Sequence, residues 1–186
     1  MRIVAGQFKG RPILAPKTDA TRPTSDRARE SLFNVLAHAD WAPDMDGARV
    51  IDLFAGSGAL GFEAMSRGAS FCVFVETAHA ARGVIRQNIE ALGLFGTTRL
   101  QRRSATALGD IPAGLGGPFD IAFLDPPYNK GLVEPCLQVL GQGNWLSERV
   151  LVVAETAADE VLDLTNWTCV SKRSIGAAKF WFLRPA

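Results

Sequence analysis

An aspartate, two prolines and the chain's only tyrosine stand together as Asp125-Pro126-Pro127-Tyr128, directly after the apolar run Ile121-Ala122-Phe123-Leu124. A carboxylate, a rigid backbone turn and an aromatic face are the groups needed to hold a flat nucleobase and polarise its amino group. Proline cannot donate to a sheet ladder, so two in succession end the strand and fix the chain direction. The same residues also read as a strand closed by a proline-rich turn, with Tyr128 as ordinary packing. A methyl-donor site elsewhere in the chain would decide between the two readings.

Such a site is offered by Asp52-Leu53-Phe54-Ala55-Gly56-Ser57-Gly58-Ala59-Leu60-Gly61, which follows one apolar strand and opens a helix. Gly56 and Gly58 permit positive φ and a close backbone approach to a ligand, and Gly61 permits close helix–strand packing. Glu76 ends the next strand, where an acid can bind both hydroxyls of an adenosine ribose, and Thr77 follows it. The glycine spacing also satisfies the dinucleotide pattern G-x-G-x-x-G, so a nicotinamide cofactor competes. Asp52 favours S-adenosylmethionine. A carboxylate just before the glycines suits a cationic amino-acid tail, whereas beside a pyrophosphate two like charges would be desolvated together. Phe54 packs either against the donor or against the core, and Ser57 lies within the loop. After the third strand, the backbone amides of Ser104 and Ala105, or the Ser104 hydroxyl, are placed to meet an adenine edge. An ordinary loop explains them equally well.

The elements that must position these groups alternate. Residues 48–53, 70–75, 98–101, 119–124 and 150–155 read as strands, and 58–67, 78–92 and 132–140 as helices. Two late runs, 168–173 and 179–183, alternate around Gly176 and read as a closing hairpin. Upstream, 2–5 and 11–14 flank Gly6 and Gly10 as a short hairpin, and a helix starts at Asp26, capped by Thr24 or Ser25. Strands separated by helices predict a doubly wound α/β sheet, mostly parallel, with an antiparallel C-terminal strand and an N-terminal hairpin-and-helix extension. Ligands of such sheets sit at the carboxyl ends of the strands, where every candidate residue above falls. One domain is expected, residues 1–38 forming the extension and 45–186 the core.

Composition sets the class. With 186 residues, 47% hydrophobic and 21% charged, the chain buries a core without disulfides or metal. No apolar stretch approaches membrane-spanning length, and the first residues show no signal-peptide pattern. Cys72, Cys136 and Cys169 fit neither a disulfide framework nor a zinc site, so a cytoplasmic protein without metal is expected. His38 and His79 read as surface or cap residues. The net charge of +1 hides an asymmetry: residues 1–36 hold seven basic side chains against three acidic ones, leaving the remainder at −3. A basic arm on a mildly acidic body points to a polyanionic partner met by one end of the molecule. A solvated terminal segment is the plainer account of the same charge.

Taken together, the donor loop 52–58, Glu76, Asp125-Pro126-Pro127-Tyr128 and the leading Arg22-Pro23-Thr24-Ser25-Asp26-Arg27 resemble the bacterial guanine-N2 methyltransferases of 16S (small-subunit) ribosomal RNA. The likeness extends to Arg2-Ile3-Val4-Ala5-Gly6, Gly10-Arg11, residues 29–34 and residues 60–69. It implies a Rossmann-like fold, S-adenosylmethionine as donor, and transfer to the exocyclic amine of one guanine. On that resemblance Asp125, Pro126, Pro127 and Tyr128 handle the base. Arg2, Lys9, Arg11, Arg22 and Arg27 hold phosphates. The partner is small-subunit ribosomal RNA or the small ribosomal subunit, with no membrane, met by a monomer. Tyr128 would act through its ring, the hydroxyl being unneeded for stacking. Three alternatives remain. A DNA adenine-N6 methyltransferase shares the Asp-Pro-Pro-Tyr chemistry but usually needs a larger target-recognition region. A nicotinamide oxidoreductase leaves Asp125-Pro126-Pro127-Tyr128 without a task, and an RNA-binding module would explain the arm alone.

Overall fold

The computed structural model describes residues 1–16 and 26–186. A seven-stranded mixed sheet carries the fold. Its strands are β1 (Arg49–Leu53), β2 (Phe71–Val75), β3 (Thr98–Gln101), β4 (Phe119–Leu124), β5 (Leu146–Ala157), β6 (Trp167–Ile175) and β7 (Ala178–Pro185). Their order is β3-β2-β1-β4-β5-β7-β6. The first five are parallel to one another, while β7 runs antiparallel to both β5 and β6. This is the doubly wound sheet read from the sequence. The order reverses between β1 and β4, the point at which such sheets open a ligand crevice.

Alternation along the strands divides the core into two layers. Val50, Cys72, Phe74, Ile121, Phe123 and Val153 pack on one face with helices α1 (Asp26–His38), α2 (Ala59–Ser66) and α3 (His79–Leu92). Ile51, Leu53, Val73, Leu124 and Val152 pack on the other with α4 (Val133–Gln142) and Trp145. Both faces are covered, so the central strands read as continuous apolar runs. Each fully buried large side chain contributes about 1.5–3 kcal/mol relative to exposure. Strand β5 begins four residues earlier than its apolar run, because Leu146 pairs with Phe119 before a register shift ahead of Ile121. The cysteines are free thiols, Cys72 and Cys136 buried and Cys169 half-buried. His38 and His79 are exposed. Among the described residues no helix is long and apolar enough to cross a membrane.

The N-terminal arm forms the expected short hairpin, the Ile3 amide donating to the Arg11 carbonyl at 2.9 Å and the Ile13 amide to the Met1 carbonyl at 3.0 Å. It makes one antiparallel bridge, Arg2 to Pro12, and turns its apolar residues Ile3 and Ile13 into the core. The residues that lead into its turn are also fastened to α2. Glu63 of α2, fully buried, accepts hydrogen bonds from the Val4 and Ala5 amides at 2.8 and 3.0 Å. The same carboxylate takes the Arg67 guanidinium at 2.8 Å and pairs with Arg29 Nε at 3.5 Å. Ser66 completes the seam, its hydroxyl donating to Ala5 and accepting from the Phe8 amide. Arg29, counted with the basic arm by charge, is fully buried between Glu63, Asp26 and the Arg2 carbonyl. It therefore presents no charge to a polyanion. Thr24 and Ser25, the expected helix cap, lie outside the described residues, as does Arg22.

Truncating one member of a buried pair strands the other charge. Glu63→Ala should cost about 3–5 kcal/mol in urea unfolding. A loss within the scatter of surface substitutions would show that Arg29 and the arm amides find other partners.

Candidate active site

The donor loop is shaped by carboxylates turned inward. After β1 the chain passes through Phe54, Gly56 and Gly58 at φ of +61, +56 and +80°. Gly56 and Gly58 carry the positive φ expected of them, whereas Phe54 is strained, since a bulky side chain rarely adopts this region. Its ring is partly buried against the core that faces α4. Gly58 opens α2 without a side chain to cap it. Asp52 supplies the missing cap from inside the sheet, accepting the Gly61 amide at 2.9 Å. Gly61 has no room for a side chain, because a Cβ there would stand 2.4 Å from the Phe74 ring.

Asp52 thus differs from its expected role. The sequence offered it as a carboxylate placed to receive a cationic tail; in the structure it is 1% exposed and faces the helix end. Burial pushes its pKa up to about 8, the Gly61 hydrogen bond opposing the shift and the nearby charge of Glu76 adding to it. Glu76 closes the loop from the other side. Its two oxygens accept the Gly56 amide at 2.8 Å and the Ala78 amide at 2.7 Å. A carboxylate has about four lone-pair positions, so these bonds leave capacity for ribose hydroxyls. Thr77 is exposed beside it. Ser57 joins the loop to its surroundings. Its carbonyl accepts from Asn88 of α3, which also holds both the amide and the carbonyl of Leu14 in the arm. Beyond β3, Ser104 is exposed and turned onto Thr106, while Ala105 is buried.

The acceptor motif begins on the neighbouring strand. Leu53 and Leu124 are register partners of parallel strands, and the Asp125 amide points to the Leu53 carbonyl at 3.5 Å. Asp125-Pro126-Pro127-Tyr128 therefore starts one strand spacing, about 4.8 Å, from the donor loop. Pro126 is buried, Pro127 exposed, and Asp125 and Tyr128 half-buried. A shallow pocket opens beside them, lined by Pro126, Pro127, Tyr128, Leu132, Glu155 and Val161.

Two acids at this pocket escaped the sequence reading. Glu155, near the end of β5 and 4% exposed, accepts a hydrogen bond from the Tyr128 hydroxyl. The hydroxyl set aside as unneeded is thus engaged. Glu160 accepts the Asn129 amide at 2.8 Å and the Ala157 amide at 2.7 Å, tying the turn to the loop after β5. Glu155 was hidden because it reads as the polar end of an apolar strand; its position level with Asp125 was the available signal. In the arm, Arg2, Lys9, Arg11 and Arg27 are exposed, with the Arg11 guanidinium donating to the Ala91 carbonyl at 2.5 Å.

A glycine loop after the first strand and an Asp-Pro-Pro-Tyr turn after the fourth, on a sheet of this order, define a Rossmann-like methyltransferase. The family model described as "Conserved hypothetical protein 95" matches residues 1–184. "Ribosomal RNA small subunit methyltransferase D" of Escherichia coli K12 is 34% identical over 182 residues, covering 97% of this chain and 87% of its own. Its namesake from Haemophilus influenzae is 32% identical over 182 residues, covering 97% and 91%. Among solved structures, "Putative methyltransferase yhhF from Escherichia coli" superposes with a TM-score of 0.81 at 31% identity, covering 100% of this chain and 97% of that one. The chain belongs to this family of methyltransferases.

The inward carboxyl of Asp52 has a measurable signature. Its folded pKa of about 8 lies above the ordinary 3.8. Between those values the folded chain holds a proton that the unfolded chain releases, so stability falls as pH rises and the penalty is complete above about pH 8. Asp52→Asn keeps an acceptor for Gly61 and removes the titration. Urea midpoints should show the variant gaining on the parent from about pH 4 to about pH 8, then level. A pH-independent difference would mean that Asp52 is ionised in the fold.

Proposed function

We propose that the protein transfers a methyl group from S-adenosylmethionine to the exocyclic N2 amine of a guanine in small-subunit ribosomal RNA. The observation that carries this reading is the pairing of β1 with β4, which sets a donor loop and an amino-group motif side by side. The names of the family relatives support ribosomal RNA as the substrate class.

The donor loop fits the methyl donor better than a dinucleotide. A pyrophosphate would seek the amides at the start of α2, but one of these already serves the Asp52 carboxyl. Glu76 is proposed to take the ribose hydroxyls, with the Gly56–Gly58 backbone beneath the donor, Thr77 flanking it, and Ser104 and Ala105 at the adenine edge. Asp52 and Ser57 then act by holding the loop, and Phe54 by packing under it. S-adenosylmethionine supplies an electrophilic sulfonium methyl.

Guanine N2 is a poor nucleophile because its lone pair is delocalised into the ring. Asp125 and the Pro126 carbonyl are proposed to accept its amino hydrogens, drawing the nitrogen towards tetrahedral geometry and freeing the lone pair for in-line attack. Positioning and electrostatics then supply most of the acceleration. The proton is lost after transfer, so Asp125 need not be a full base. Tyr128 stacks on the base, which must be unpaired or flipped to reach it. The exposed Arg2, Lys9, Arg11 and Arg27, together with Arg22, are proposed to hold RNA phosphates and make binding salt-dependent.

Incubation with labelled S-adenosylmethionine and unmodified small subunits, followed by mapping of the methylated nucleotide, tests the assignment. A single guanine should carry the label. Labelled DNA oligonucleotides with unlabelled subunits would favour the adenine-N6 alternative. Asp125→Ala should abolish transfer while donor affinity, read by calorimetry, stays unchanged; retained turnover would remove Asp125 from the mechanism.

A further inference from the structure

The Tyr128 ring is not held by its own turn alone. Its hydroxyl donates to Glu155, a carboxylate 4% exposed near the end of β5. The strand register makes this meeting systematic. Leu124 of β4 pairs with Ala154 of β5, so Asp125 and Glu155 follow level with each other on neighbouring parallel strands. Tyr128 reaches back across that pair. The turn behind it is fastened by Glu160 to Asn129, a residue in the left-handed region at φ +57°. The acceptor loop is thus braced at two points, on backbone from the loop after β5 and on the aromatic side chain from β5 itself. A backbone latch fixes the turn, whereas a bond to the phenol can fix only the ring.

Resting on the methyl-transfer reading above, we propose that Glu155 is a positioning residue for the acceptor base. Its carboxylate holds the Tyr128 hydroxyl and so sets the plane and depth of the ring on which the base stacks. A hydrogen bond from a phenol to a carboxylate is among the stronger neutral-to-charged bonds, and burial removes competing water. A tyrosine free to turn about its side-chain torsions would present its face to the base for only part of the time. Transfer requires the amine to lie in line with the sulfonium, so that lost time appears directly in the rate. Glu155 in this role touches neither donor nor base. It also explains the residue type at Tyr128, since phenylalanine would stack as well but could not be held.

The chain's single tyrosine makes the brace observable without RNA. Protein grown with 3-fluorotyrosine carries one fluorine environment, at Tyr128. Its 19F resonance should shift and sharpen in Glu155→Ala, as the ring is released, and return towards the parent position in Glu155→Gln, which keeps an acceptor. In methylation assays Tyr128→Phe and Glu155→Ala should each lower kcat/KM for RNA roughly tenfold, the worth of one charge-assisted hydrogen bond. Glu155→Gln should retain most activity, and the Tyr128→Phe/Glu155→Ala pair should be no worse than either single change. Donor affinity should be the same throughout. An unmoved fluorine resonance, full activity in Glu155→Ala, or additive losses in the double variant would each overturn the proposal. Failure of the parent protein to methylate small subunits would count against the function, while the fluorine experiment would still judge the brace.

Discussion

A buried carboxylate must be paired and hydrogen-bonded, or the fold cannot keep it. Glu63 meets that requirement with two arm amides, one arginine from α1 and one from its own helix. One side chain thereby decides where the arm and α1 lie on α2. Because α2 starts from the donor loop, the decision carries through to the site. A related device recurs near the ends of β1, β2 and β5. Asp52 takes the Gly61 amide, Glu76 takes those of Gly56 and Ala78, and Glu160 takes those of Asn129 and Ala157. Each of these acids anchors a loop that would otherwise leave amides unsatisfied.

This division explains what the sequence disclosed. The sheet was legible because apolar runs bounded by glycines and interleaved with helical periodicity admit few arrangements. The donor loop was legible because glycine spacing, a preceding strand and a following acid all coincide. The direction in which Asp52 points was not, since a carboxylate at a strand end looks the same in sequence whether it faces a ligand or a helix terminus. Arg29 and Glu63 were hidden for a related reason. Helical spacing distinguishes apolar from polar faces, but it cannot show that two charges on different helices neutralise each other in the interior. Residues 2–5 and 11–14 have the alternation of a hairpin, and their backbone does pair across the turn; the further bonds of Val4, Ala5 and Phe8 to α2 left no mark in the sequence.

The arm's charge needs the same reading. Seven basic residues precede residue 37, but Arg29 is interior and Arg11 is partly engaged with the end of α3. Among the described residues Arg2, Lys9, Arg11 and Arg27 stay exposed. The first three lie on a segment that Asn88 joins to Ser57 of the donor loop through hydrogen bonds to Leu14.

The strand order has a consequence of its own. The groups described around the donor loop lie before residue 107, while those described around the acceptor turn lie after residue 118. The two sets meet along a single seam, the β1–β4 ladder. A chain built this way is separable for change. The turn that carries Asp125-Pro126-Pro127-Tyr128 can change its loops without disturbing the glycine loop, provided that Leu53 and Leu124 continue to pair.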